Sequence, residues 1–349
     1  MQEKGYKAYL VGGCVRDLLL HLEPKDFDIA TEAKPEELLR LFPNSRLIGR
    51  RFPIVHIYIR RDFFVEVSTF RGREELDESH KENYGSPEED AQRRDLTINA
   101  LFYDPFSHQI LDYVGGLEDL KRGIIRVIGE PKDRYIRDPV RMLRVIRHAA
   151  RTGFSIEEKT WTELINHKGL IKKVPSERLR DELLKDLTGF WVYKWFQLMQ
   201  KSGLLYEIYP FWQTLEENPL FSQEVLKKIL KLLGKKNLIA EQKVVLYSYA
   251  CLPLINKPYN PLAFKEMPTF DREELLKLFW ALFFTFRYSR AFFEKAMDML
   301  RDLYKIYYLS LKGREIPKRF RKKFYFKELL ILLEILERKL FNYPKGGKA

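Results

Sequence analysis

Tyr9-Leu10-Val11-Gly12-Gly13-Cys14-Val15-Arg16-Asp17 runs on through Leu18-Leu19-Leu20 and is followed closely by Lys25-Asp26-Phe27-Asp28-Ile29-Ala30-Thr31. The apolar run Ala8–Val11 reads as a short strand, the double glycine as a turn, and the following segment as a helix. In such a turn, backbone N–H groups at Gly12 and Gly13 approach a phosphate, with Arg16 in reach. A tight turn without a ligand fits the same residues, and the Gly-Lys-Ser/Thr ending of a P-loop is missing. Side chains alternate along a strand, so Asp26 and Asp28 are expected on one face with Phe27 pointing to the core. Two carboxylates that close repel each other, and a divalent cation relieves the repulsion. Mg2+ favours a few carboxylates plus substrate phosphates. Two such ions, held by Asp26 and Asp28, activate an attacking hydroxyl and stabilise a leaving oxygen. Taken alone, an Asp-x-Asp also fits a solvated turn.

Outward from this stretch, Ile54–Ile59 and Phe63–Ser68 are β-branched and aromatic runs that predict a hairpin around Arg60-Arg61-Asp62. Glu66 shares a strand face with Phe64 and Ser68 and is a candidate third acid. Gly72 to Pro87 is polar and reads as a mobile loop. Asp95 to Tyr103 is expected to begin as a helix and end as a strand. Asp112 to Ile128 is expected to form a turn, a short helix and a strand. After Pro131 helical periodicity takes over, as in Pro139–Arg151, Ser176–Leu187, Gln223–Leu233 and Glu273–Phe286. The fold class is therefore α+β, a mixed sheet followed by an all-helical region.

Two further clusters carry chemistry. In Arg93-Arg94-Asp95-Leu96-Thr97-Ile98-Asn99, the two arginines suit a triphosphate. Asp95 and Asn99 suit a ribose or the metal site, and Asp95 also fits a helix cap. Asp138-Pro139-Val140-Arg141 opens a helix whose side with Met142, Leu143, Val145, Ile146, Ala149 and Ala150 is apolar. Arg141, Arg144, Arg147, His148 and Arg151 share the other side. A carboxylate one turn from a guanidinium sets an acceptor beside a fork of donors. Cytosine and adenine present an exocyclic amine beside a ring-nitrogen acceptor, whereas guanine and uracil present the reverse order. Asp138 with Arg141 thus reads C or A without a template, leaving Arg144 and Arg147 for phosphates. A basic solvated helix face is the plain alternative.

Charge points the same way. The 349 residues hold 62 Lys and Arg against 49 Asp and Glu, for a net charge of +13 and a pI near 9.4. Such a surplus attracts polyanions, with nucleic acid first among them. Lys318–Lys327, KRFRKKFYFK, interleaves cations with aromatics, which suits phosphate contacts with base stacking or an amphipathic element with a basic outer face. Two cysteines, Cys14 and Cys251, exclude a disulfide scaffold and point to the cytoplasm. No long apolar run predicts a membrane span.

Five segments, in order, resemble the class II RNA nucleotidyltransferases, the family of bacterial CCA-adding enzymes and poly(A) polymerases. They are LVGGCVRDLLL with KDFDIAT, then RRDLTINAL, then Asp112–Gly129, then RDPVRMLRVIRHAA, and last PSERLRDELLKDL. The resemblance runs from Tyr9 to Gly189. It implies a polymerase-beta-like nucleotidyltransferase head over 1–130, a helical neck over 131–190 and an RNA-binding helical body and tail over 191–349. It implies Asp26, Asp28 and Asp95 as catalytic acids, with Mg2+ on Asp26 and Asp28. Gly12, Gly13, Arg16, Arg93, Arg94, Asn99, Asp138, Arg141, Arg144 and Arg147 would bind nucleotide. CTP, ATP or both would be the donor and RNA, above all a tRNA 3′ end, the acceptor. Arg137 stands where the family's fourth motif usually has Glu, which puts the choice between CTP and ATP in question. The Thr69–Arg93 loop is shorter than in typical poly(A) polymerases, which favours addition of CC. The wording of EEDAQRRDLTINAL, RDPVRML and SGLLYEIYP favours a poly(A) polymerase. A catalytically inactive RNA-binding protein is the third reading, and the intact Asp26/Asp28 pair argues against it.

Overall fold

A computed structural model of the chain describes residues 1–49, 53–61, 63–72, 84–186, 190–210, 212–216 and 289–327, with 227, 230, 231, 272, 273, 329 and 330. It divides into two units, Met1–Leu164 and Ile165–Ala349. In the first, β1 (Ala8–Val11) passes through Gly12 into α1 (Gly13–Leu19), then β2 (Asp28–Thr31), α2 (Pro35–Leu41) and β3 (Ser45–Ile48). The expected hairpin is present as antiparallel β4 (Ile54–Arg60) and β5 (Phe63–Thr69). There follow α3 (Pro87–Arg93), a 3-10 turn at Thr97–Asn99, β6 (Leu101–Asp104), β7 (Gln109–Asp112), α4 (Gly116–Arg122) and β8 (Ile124–Ile125). Next come α5 (Pro131–Arg137), α6 (Val140–Thr152) and β9 (Ser155–Ile156), with β8 and β9 forming a small parallel pair, and α7 (Glu158–His167) spans the boundary at Leu164.

Seven strands form one mixed sheet in the order β3-β4-β5-β2-β1-β6-β7. Only β2 and β5 pair in parallel within it. Alternation along β4 and β5 turns Val55, Ile57 and Val67 into a core with Ala33 and Leu38, and α2 covers that face. Val11, Ala30, Phe70, Ala91, Ala100 and Phe102 make a second core that joins β1, β2 and β6 to α3. The α+β expectation thus holds for this unit.

Three local expectations need correction. The segment read as a loop through Pro87 ends earlier: Pro87 is the first residue of α3, and Ser86 and Glu89 form a capping box before it. That Ser-x-x-Glu signature was legible in the sequence; residues 73–83 lie outside the described residues. Asp95 does not begin a helix, because the chain is extended at Leu96 and only Thr97–Asn99 coils. Asp26 sits in an exposed bend ahead of β2, which starts at Asp28. The first unit runs to Leu164, and α6 packs on β8 and β9 within it.

The second unit contains α8 (Ser176–Asp186), α9 (Val192–Ser202), α10 (Leu204–Ile208), α11 (Trp212–Glu216), α12 (Arg290–Leu311) and the short α13 (Lys318–Arg321) among its described residues. Trp195, Phe196, Met199, Leu205 and Trp212 are buried there. The segments Gln223–Leu233 and Glu273–Phe286 lie almost wholly outside the described residues. No helix among the described residues is long and apolar enough to cross a membrane.

Candidate active site

The site gathers where β1 and β2 run side by side, because antiparallel pairing sets Val11 opposite Asp28 and brings Gly12 against that carboxylate. Gly12 has φ +81° and ψ −133°, a conformation that L side chains avoid. A Cβ built on it would lie 3.6 Å from Arg94 Nη1 and 3.7 Å from Asp28 Oδ2, so the missing side chain leaves an open cradle between a cation and an anion. Parallel pairing of β2 with β5 places Glu66 beside Asp28. Burial, then the charges of Asp26 and Glu66, push the Asp28 carboxyl up from 3.8 to about 6, while Arg94 acts in the opposite sense.

Two buried networks aim the cations. Arg94 donates from Nε and Nη2 to Asp90 Oδ2 at 3.0 and 2.8 Å, and its guanidinium lies over the Phe102 ring. Asp90 also accepts from the Arg71 backbone N–H. The paired edge of Arg94 is therefore fixed, and Nη1 faces the cradle at Gly12. Arg16, only 1% exposed, donates to Asp17 Oδ1 and, from Nη1, to Asn99 Oδ1 at 2.5 Å. Its Nη2 comes nearest to the space a Cβ on Gly13 would take. His148 completes this group, with Nδ1 3.3 Å from Arg16 Nη1 and Nε2 3.2 Å from Asn99 Nδ2. Burial and the surrounding Arg16, Arg147, Arg151 and Arg144 hold His148 well below the ordinary histidine range.

Helix α6 presents Arg141, Arg144, His148 and Arg151 along one stripe, and each meets the head. Arg144 Nη1 pairs with Asp95 Oδ2 at 2.5 Å, and Arg141 Nε lies 3.2 Å from Asp95 Oδ1. Arg151 Nη2 pairs with Asp17 Oδ2 at 2.7 Å. Asp95, expected among the catalytic acids, meets two arginines of α6. Arg144, expected on phosphates, pairs with Asp95 just ahead of the Thr97–Asn99 turn. Arg141 is buried despite its place on the polar side of the helix, with Asp138 Oδ2 3.9 Å away. Asp138 Oδ1 accepts from Val140 N–H, which caps the first turn. Arg93 donates to the Gly72 carbonyl.

Sequence reasoning gave no role of their own to Asp90, Asp17 or His148. The first follows a capping box and the second lies inside the glycine motif, but neither signal names its partner. A separate cleft of about 500 Å3, lined by Gln92, Tyr113, Arg126, Arg134 and Lys159, lies away from Asp28. In the second unit, Phe320 and Tyr325 of KRFRKKFYFK are buried, Phe324 is 78% exposed, and Lys323 pairs with Asp302.

Residues 8–126 match the family model described as the Poly A polymerase head domain, and residues 153–215 match one described as a probable RNA and SrmB-binding site of polymerase A. The chain belongs to the nucleotidyltransferase family that contains the poly(A) polymerases and CCA-adding enzymes. It is 40% identical over 249 residues to Poly(A) polymerase I of Escherichia coli O6:H1, covering 66% of this chain and 53% of that protein. The chain spans about half the length of the curated relatives it matches. The crystal structure of the Bacillus stearothermophilus CCA-adding enzyme in complex with CTP is similar at a TM-score of 0.65 and 25% identity, over 98% of this chain and 76% of that one. A tRNA nucleotidyltransferase complexed with a primer tRNA and an incoming ATP analog is similar at 0.55 and 28% identity, over 97% and 90%.

Proposed function

We propose that this chain is a template-independent nucleotidyltransferase that adds CMP, AMP or both to the 3′ end of RNA, with tRNA as the acceptor, in the cytoplasm. The carrying observation is the meeting of Asp28, flanked by Asp26 and Glu66, with the open cradle at Gly12 and the aimed guanidinium of Arg94. A carboxyl raised by its acidic neighbours beside an open space fits a hard divalent cation. Among the described residues no group of three His, Cys, Asp or Glu makes a ready cage. Mg2+ takes one or two carboxylates and completes its shell with water and substrate phosphate. Asp26 and Asp28 would hold a pair of such ions, which when bound supply charge stabilisation to the attacking and leaving oxygens.

The chain's own residues do the positioning. The Gly12-Gly13 backbone, Arg94 and Arg16 receive the triphosphate. Asp138 and Arg141 offer the acceptor and donor that match cytosine or adenine. The RNA 3′ oxygen attacks the α-phosphorus and pyrophosphate departs, a reaction that rests on placement and charge more than on covalent chemistry. Asp95 and Asn99 act on the α6 arginines and Arg16, fixing the nucleotide side of the site. The similar structures, one in complex with CTP and one with a primer tRNA and an ATP analog, support these substrates.

A poly(A) polymerase is the second reading, favoured by the 40% identity to Poly(A) polymerase I. Extension with Mg2+ and either CTP or ATP separates the two, using tRNA lacking CCA, tRNA ending in CC and an unstructured RNA. Two C additions on the first, with or without A on the second, establish tRNA end synthesis. Long A tails on all three establish the poly(A) polymerase, and no incorporation on any overturns both.

A further inference from the structure

We infer that His56, Phe64 and Tyr58 form a stacking shelf for the terminal base of the RNA acceptor strand; this rests on the transfer reading above. In-register pairing sets Asp28 on β2, Glu66 on β5, His56 on β4 and Arg46 on β3 in one row across the sheet. Directly paired residues project to the same face, and the opposite face of β4 and β5 is the buried core of Val55, Ile57 and Val67. Phe64 lies two residues before Glu66 on that row's face, paired with Tyr58. The rings of His56 and Phe64 stack at 4.3 Å and 12°, with Tyr58 tilted against Phe64 at 5.7 Å. His56 Nε2 lies 3.3 Å from Glu66 Oε1, which fixes the imidazole. Phe64 stays 40% exposed. The row therefore runs from carboxylates straight into an open aromatic column.

Sheet order decides which substrate this column serves. Gly12 leaves β1 on one side of β2, whereas β5 and β4 lie on the other. Asp28 stands between the glycine cradle and the shelf. Displacement at phosphorus keeps the attacking and leaving oxygens roughly in line. With the triphosphate in the cradle, the hydroxyl arrives from the side of β5 and β4. A terminal base extending the His56–Phe64 stack brings its own 3′ oxygen toward Asp28, and stacking accepts any base because every base has a π-face. Arg46, exposed at the end of the row, suits the backbone phosphate behind it.

The test uses the full chain with Phe64→Ala, Phe64→Trp and an RNA acceptor whose 3′-terminal nucleotide is abasic. Phe64→Ala should raise KM for the acceptor roughly tenfold and leave KM for the nucleotide unchanged, and Phe64→Trp should restore it. The abasic end should cost the wild type a similar factor and cost Phe64→Ala almost nothing more. An unchanged acceptor KM, a rise in nucleotide KM instead, or penalties that multiply would each overturn the shelf. A 2-aminopurine at the acceptor 3′ end reads stacking without turnover. Quenching by the wild type that Phe64→Ala loses, with no RNA extended, keeps the shelf and removes the transfer reading. Extension with equal quenching in both proteins removes the shelf alone.

Discussion

Replacing Asp28 with Asn keeps the side chain's shape and removes its charge, and its effects on stability and on transfer should run in opposite directions. The fold raises this carboxyl from 3.8 to about 6, first by burial and then through Asp26 and Glu66. Between those values the folded chain binds more protons than the unfolded one, so wild-type stability falls as pH rises through the window. At 1.36 kcal/mol per pH unit the full difference is about 3 kcal/mol, and solvent screening by the exposed Asp26 reduces it. Metal-free Asp28→Asn should therefore exceed the wild type by about 1–3 kcal/mol above pH 7, with the gap closing toward pH 4. Urea unfolding in chelator from pH 5 to 8 measures it. Added Mg2+ should stabilise the wild type and narrow the gap, because a cation offsets the same repulsion. The variant should bind RNA and extend none. A variant no more stable than the wild type at pH 8, or a gap that does not shrink on acidification, would refute the raised Asp28 carboxyl; full transfer activity would remove Asp28 from the chemistry.

Gly12→Ala places a methyl in the cradle at a conformation that costs about 1–3 kcal/mol, so unfolding should come earlier and KM for the nucleotide should rise. Asp95→Asn takes the charged partner from Arg141 and Arg144; it should lower stability by about 1–3 kcal/mol and reduce kcat with RNA affinity retained, as read by urea unfolding and acceptor titration. Asp138→Ala or Arg141→Ala should relax base choice more than it weakens RNA binding, and an unchanged preference for CTP over UTP would take both out of the reading role.

Local rules made the glycine turn, the hairpin and the helices legible, because strand alternation, helical periodicity and turn residues act over a few positions. The order of the five motifs placed the chain in its family from the same local words. Pairings across long sequence separations were not legible. Glu66 reaches Asp28 only because β5 runs parallel to β2, and no local period encodes that choice of neighbour. Asp95 carried the same side chain in either role; docking of α6 gave it Arg141 and Arg144 as partners. His148 shared a helix face with arginines in the sequence, and only the approach of α1 and the Thr97–Asn99 turn made it the neighbour of Arg16 and Asn99. The sequence by itself determined which residue types and elements exist; the tertiary structure decided which charges face each other, since that depends on strand order and helix docking rather than on spacing along the chain.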